Sequence, residues 1–362
     1  MKNGQLLTKL QVYLLLIQAQ FGIGLLSLPN LLGAKLEQDA WFSILIAGTF
    51  VQFTLFIYWL LIRRFPGTSY HDITKMITGK YIGTMINATH YIGYLAIGTY
   101  TSILVINLVN NWLLPFTPVW AVGGSLILIS VYLVINDFTV VARFFVLLSI
   151  VVLPCFLTTL LMLTTPLETR NLMPLGDSGF VPILKGSHGA LLALLGFELI
   201  LFMSPYVNIA ERKLLRTFTL SNLTVTILYT LVVILSLMVF SPNVLGQVRE
   251  PVLYMFRALS FQTIDRIDLL FVSIWIGPMT ASIMIYLLIA SKSLAKKRSA
   301  FKKLVISSGG IMYVFILLAT YDQQSIDLYS QIFNYCVYTV VFFLPCILLI
   351  LSYLLKKKKV NI

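Results

Sequence analysis

The sequence predicts an all-α integral membrane protein of ten transmembrane helices, a 5+5 inverted repeat with helices 1 and 6 broken. Three observations predict it. First, 59% of the 362 residues are apolar and only 11% are charged, under half the rough quarter that a soluble domain carries. Second, ten runs approach or exceed the ~20 apolar residues that a spanning helix needs. Third, glycines interrupt the first and the sixth of those runs. The mean hydropathy of +0.92 agrees. This composition excludes a soluble globular enzyme, a disordered chain and a nucleic-acid-binding domain.

The runs cover residues 10–32, 40–62, 81–109, 118–135, 140–162, 189–206, 217–240, 267–290, 304–320 and 328–355. Lys2 and Lys9 precede the first run, but it is too long for a signal-peptide core and has no small-residue cleavage site. With the N-terminus inside, twenty of the Lys and Arg residues fall inside and six outside. That asymmetry satisfies the positive-inside rule and places both termini in the cytoplasm. The net charge of +13 is therefore topogenic. The four lysines at 356–359 read as a stop-transfer anchor near anionic headgroups.

Residues 1–362 form one membrane domain, with repeats at about 9–163 and 187–355. Gly22 and Gly24 interrupt the first span of one repeat, and Gly196 that of the other. Each repeat also carries an amphipathic connector between its second and third spans. Ile73, Met76 and Ile77 define one within residues 70–78; Val252, Phe256 and Leu259 define the other within residues 251–259. Pro251 suits a first helical turn. Five spans per repeat is an odd number, so the repeats are inverted. This is the plan of secondary transporters. Unwound backbone in lipid leaves N–H and C=O groups unsatisfied, and it is tolerated only where it lines a cavity or a ligand. Half-helix N-termini attract an anion such as a carboxylate, and free carbonyls accept from an ammonium. A paired break thus suits a zwitterion. The alternative is that the glycines only let helices pack closely.

The segment from Gln18 through Phe21, Gly22, Ile23, Gly24 and Ser27 to Pro29 resembles the signature of the spore germination permease family. Gly196, Phe197, Glu198 and Leu199 resemble the same family, as does the stretch Arg266, Asp268, Ser273 and Trp275. That family supplies the B subunits of GerA-type nutrient germinant receptors, within the amino acid–polyamine–organocation superfamily. The resemblance spans essentially the whole chain. It implies the leucine-transporter fold, the inner membrane of an endospore, and two partners: an A subunit and a lipoprotein C subunit. It also implies a role in sensing a small nutrient. By the superfamily's ligand pattern, Gly22, Ile23 and Gly24 would bind a carboxylate, while Gly196 and Phe197 would contact an amine.

Glu198 is the one acidic residue deep inside a predicted span. A charge there costs about 3 kcal/mol or more, so it faces the cavity, pairs, or is protonated. It reads as a proton-coupling or ammonium-contacting group; the alternative is a neutral acid joining two helices. Span 3 presents His90, Tyr94, Gly98 and Thr101 at helical spacing, and span 8 presents Ser273, Gly277, Thr280 and Met284. Both faces are expected to look at the centre, with Tyr94 and Thr280 in the pocket and His90 a buried helix-to-helix partner. A sodium site between spans 1 and 8 through Thr280 is a weaker reading. Gln18 and Gln20 need partners in the membrane, and one of them is expected to brace the break. Trp112 and Trp120 read as interface anchors.

No catalytic site is expected: His71, His90 and His188 are scattered, and no nucleophile–His–acid spacing occurs. Cys155, Cys336 and Cys346 lie in apolar runs without metal-type spacing, so neither a metal nor a cofactor is expected. The cluster Glu211, Arg212 and Lys213 reads as a solvated loop, or as a docking surface for a partner subunit. The function expected is a germinant-receptor B subunit binding a small nutrient such as an L-amino acid at the midplane. The alternatives are a proton-coupled amino acid transporter, or an ion channel or scaffold subunit.

Overall fold

Local signals start and stop the helices. Thr8 accepts from the Gln11 backbone N–H at 3.3 Å while the Gln11 side chain accepts from the Thr8 N–H at 2.9 Å. This capping box opens α1 (Lys9–Gln20). After Phe21, Gly22 and Ile23 the chain resumes as α2 (Gly24–Leu36), turns through Glu37–Asp39, and continues as α3 (Ala40–Arg64). Ser69 caps the amphipathic α4 (Tyr70–Thr78), and α5 (Lys80–Trp112) follows. The first half ends with α6 (Val119–Val134) and α7 (Phe138–Thr159).

The second half opens with α8 (Phe180–Ala193), a turn at Phe197–Leu199, the short α9 (Ile200–Met203) and a turn at Ser204–Tyr206. Next come α10 (Glu211–Val239), the small α11 (Pro242–Gln247) and α12 (Pro251–Ala258), and α13 (Ile267–Leu294). The chain closes with α14 (Arg298–Leu318), α15 (Gln323–Val337), a π-helical turn and α16 (Leu344–Leu354). This computed structural model describes residues 6–136, 138–164, 167–207, 209–258 and 266–359. Among them the fold is all-α, with one isolated parallel bridge between Leu7 and Val207. Lys2 and Leu259, named above, lie outside the described residues, as does the side chain of Cys155.

Six stretches are long and apolar enough to cross a membrane: Gly24–Arg64, Lys80–Trp112, Glu211–Val239, Ile267–Leu294, Arg298–Leu318 and Gln323–Leu354. The first contains both α2 and α3 with the turn between them. Phe180–Ala193 and Phe197–Tyr206 pass together as a pair bent by 56°. The helix α8 begins at residue 180 rather than near 189, because its small residues pack instead of ending it. A Cβ at Gly186 would stand 2.5 Å from Leu36 Cδ1, and Ser43 donates to the Ile183 carbonyl at 2.8 Å. Of the apolar face expected on α4, Ile73 and Ile77 are buried, but Met76 points outward.

Every residue of α13 from Pro278 to Ser291 is buried, so this part of the helix has no outer face and runs through the middle of the bundle. It packs on α5 along its length and also on α1, α6, α7, α12 and α14.

The helix ends gather at two poles. At one pole, Leu7 donates to the Tyr206 carbonyl at 2.9 Å and Lys359 to the Arg64 carbonyl at 3.0 Å. There too, Trp59 donates to the Glu211 carbonyl at 3.0 Å, and His71 Nδ1 lies 2.9 Å from the Ser293 carbonyl. At the other pole, Asp39 accepts from the Gly176 and Ser178 N–H groups at 2.8 and 2.9 Å. There Trp112 reaches Glu250, and Arg249 donates to Gln323.

Candidate ligand site at the paired helix interruptions

The α1/α2 interruption is held by its carbonyls. Tyr229 donates to the Gln20 carbonyl at 2.6 Å, Ser282 to Phe21 at 3.4 Å and the Trp275 indole to Gly22 at 3.2 Å. The Phe21 ring packs between Phe156, at 4.6 Å between centroids, and Tyr229 and Trp275, each at 6.3 Å. On the other side of the break α2 starts with no side-chain cap. Its first N–H groups therefore have no side-chain acceptor, at what is a positive helix end.

The second interruption follows Ala193. Gly196 adopts φ +117°, a conformation that L side chains rarely take. A Cβ on it would sit 1.9 Å from the Ala19 carbonyl oxygen. The two interruptions thus lie backbone against backbone. A second close approach joins them: a Cβ at Gly24 would meet Ala193 Cα at 2.9 Å.

Glu198 is fully buried and folds back on its own segment, where its Oε2 accepts from the Gly196 N–H at 2.8 Å. Its Oε1 has no hydrogen-bond partner among the described residues. The hydroxyls of Tyr58, Tyr94 and Tyr286 all lie within electrostatic reach of this carboxylate. Of the three, only Tyr286 also interacts with it as a hydrogen-bonding group, without closing a bond of ordinary geometry. Phe197 is buried beside Tyr58, their rings 6.0 Å apart.

A cavity of about 470 Å³ begins at the first interruption. Gly22, Ile23, Gly24, Gln20, Ser282 and Tyr286 line its inner end. It extends to Arg249, Glu250, Gln323 and Asp327, at the pole where Trp112 meets Glu250. Gln20 is 2% exposed, and its Oε1 has no partner. An unpartnered acceptor is therefore buried in a cavity-lining residue, near the start of α2.

Of the residues expected at the site, Gly22, Ile23 and Gly24 line the cavity. Gly196, Phe197, Glu198 and Tyr94 are buried and do not line it. The Tyr94 hydroxyl is unpartnered, and its ring stands edge-on to Phe202. Thr280 does not line the cavity; its hydroxyl donates to the Ile276 carbonyl at 2.7 Å within its own helix. Neither does the rest of the expected α13 face: Ser273 bonds Leu269 within the helix, and Gly277 packs on Leu148. Ser282 and Tyr286 take that place. They are two positions on from Thr280 and Met284, which rotates the face by ~200° at 100° per residue.

On α5, Thr101 reaches the cavity wall, while His90 is a buried helix-to-helix partner. His90 Nε2 stands 3.0 Å from the Tyr70 hydroxyl and Nδ1 2.9 Å from the Ile86 carbonyl. Gln20 bonds weakly to Leu16, at 3.4 Å, and the Gln18 amide is buried without a partner; the bracing of the break comes from Tyr229, Trp275 and Ser282 instead.

A bundle with a central helix, two interruptions packed backbone against backbone and a cavity that begins at the first of them defines a membrane protein of the transporter fold. It superposes on a Na+-coupled sialic acid symporter with a TM-score of 0.67 at 11% identity, over 94% of this chain and 80% of that one. Mhp1, a nucleobase-cation-symport-1 family transporter, matches with a TM-score of 0.64 at 12% identity, over 98% and 80%. The chain itself belongs to the spore germination protein (spore permease) family, whose model matches residues 6–326. Spore germination protein GerQB of Bacillus cereus is 29% identical over 73% of this chain and 72% of its own length. Spore germination protein YndE of Bacillus subtilis is 22% identical over 96% of each chain, and spore germination protein A2 of the same organism 23% over 90% of each.

Proposed function

We propose that this chain is the nutrient-binding B subunit of a spore germinant receptor, and that it takes a small zwitterion, an L-amino acid, where the two helix interruptions meet. The observation that carries the reading is the inner end of the cavity. An uncapped helix start at Gly24 favours a carboxylate. The unpartnered Gln20 Oε1 supplies an acceptor for an ammonium. Family membership and the names of the relatives support the germination role. Binding starts germination by favouring one conformational state over another. The reading assigns the chain no chemical step.

This reading takes the chain across the membrane ten times, with α1+α2 and α8+α9 as broken spans and α3, α5, α6, α7, α10, α13, α14 and α15+α16 as the others. Consecutive loops then alternate between the poles, as the contacts at residues 64, 206, 293 and 359 and at 39, 112, 176 and 250 do. The two halves are inverted repeats, both termini are cytoplasmic, and the setting is the inner membrane of the endospore. An A subunit and a lipoprotein C subunit complete the receptor.

A second reading, proton-coupled amino acid transport, draws on one observation. Glu198 keeps an unpartnered oxygen next to the interruption, where a proton could be gained and lost.

The test combines germination with flux. Spores deleted for this subunit are offered single nutrients, and the purified chain in proteoliposomes is offered labelled amino acids under a pH gradient. The receptor reading expects selective loss of response to one nutrient with little uptake. Robust uptake abolished by Glu198→Gln would favour transport, and an unchanged response to every nutrient would reject the receptor role.

A further inference from the structure

The outward face of α10 changes character along its length. Lys213, Arg216, Leu220, Leu223, Ile227 and Leu231 recur at spacings of three and four, so all six share one side of the helix. Lys213 and Arg216 are exposed. The four apolar residues that follow are 44%, 51%, 48% and 43% exposed. Lys9 and Leu10 of α1 stand beside the charged end. Together with Tyr13, Thr217 and Leu220 they line an open groove of about 490 Å³. Its wall is fixed where the Tyr13 and Thr224 hydroxyls bond at 2.8 Å and Ser221 donates to the Tyr13 carbonyl at 3.3 Å.

Three cations around one groove favour an anion there. Among the described residues, Lys9, Lys213 and Arg216 have no carboxylate partner, and the nearby Glu211 pairs with Arg63 at 2.8 Å. Lys213 and Arg216 also occupy the first turns of α10, the positive end of the helix, where cations are disfavoured and anions favoured. From Arg216 to Ile227 the helix rises about 16 Å, the depth of one leaflet of a ~30 Å hydrocarbon core. A negative headgroup with an acyl chain below it matches both parts of this face.

We propose that the groove between α1 and α10 binds an anionic phospholipid, its phosphate held by Lys9, Lys213 and Arg216 and an acyl chain laid along Leu220, Leu223 and Ile227. The lipid would tie α10 to α1, the half-helix that ends at the interruption, and so couple membrane composition to the position of that helix.

Native mass spectrometry of the purified chain with added phosphatidylglycerol or phosphatidylcholine tests this. Phosphatidylglycerol is expected to be retained preferentially. The double variant Lys213→Gln/Arg216→Gln should lose about thirtyfold in its affinity. Lys302→Gln/Lys303→Gln, which removes two exposed cations from α14, should lose nothing. Circular dichroism and elution volume check the fold, and Arg216→Gln alone serves if the double variant does not purify. Equal retention of the two lipids would overturn the proposal, as would equal loss in both double variants. Displacement by millimolar inorganic phosphate would show a free-anion site instead. Stronger binding of an acidic peptide at the same residues would show a protein interface.

Discussion

Gly196 lies against the Ala19 carbonyl, so close that a Cβ on it would stand 1.9 Å from the oxygen. This approach locks the two interruptions together. Gly196→Ala forces a side chain both into that carbonyl and onto a backbone at φ +117°, and it is expected to cost more than about 2 kcal/mol. Thermal unfolding of the purified chain measures it. Gly310→Ala is the control, because a Cβ there meets nothing within 4 Å. It should be neutral or stabilising by up to about 1 kcal/mol.

Glu198 holds the second interruption through a bond to the Gly196 N–H. Glu198→Gln keeps an oxygen that can accept this bond and should preserve the fold. Glu198→Ala leaves a buried N–H unpaired and should cost about 1–3 kcal/mol. Unfolding of the two variants side by side checks it; equal losses would show that the bond contributes nothing.

Gly22 faces the Ser282 hydroxyl, which a new Cβ would meet at 2.8 Å, while Ser282 Cβ would stay at 3.8 Å. Gly22→Ala should therefore destabilise, and adding Ser282→Ala should restore part of the loss. A coupling energy of roughly 0.5–3 kcal/mol is expected from the double-mutant cycle. Strict additivity would mean that the two residues do not touch.

Asp322 caps α15 by accepting from the Ser325 N–H at 3.0 Å. That backbone hydrogen bond, together with one from the Ser325 side chain, holds its carboxyl below the ordinary aspartate value. A depressed folded-state pKa contributes stability that is fully present above the unfolded value of about 4 and is lost as pH falls through the folded value. Amide exchange at the start of α15 should therefore rise on acidification through that range. Asp322→Asn, which caps without titrating, should flatten the response.

Much of this was legible in the sequence, for physical reasons that differ from place to place. Apolar runs marked the long helices because lipid demands them. Gly24 and Gly196 mark the interruptions because a neighbouring backbone leaves no room for a side chain there, and Gly22 because the Ser282 hydroxyl stands against it. Thr280 does not line the cavity, and Ser282 and Tyr286 do: from Pro278 to Ser291 α13 is buried on every side, so its pattern there carries no phase. The start of α8 was hidden because Lys185, Gly186, His188 and Gly189 resemble a loop until α3 is seen packed against them. The contact of Gly196 with Ala19 joins residues far apart in the chain, and no local pattern encodes it.

The account turns on Gln20, which lines the cavity near the start of α2 and whose Oε1 is buried without a partner. Calorimetric titration of the purified chain with the L-amino acid that starts germination, against Gln20→Leu, tests it most directly. Loss of a hydrogen bond to a charged ammonium should weaken binding by about ten- to a hundredfold while the melting temperature stays within a few degrees. Unchanged affinity in Gln20→Leu would contradict the assignment of the ligand to this cavity.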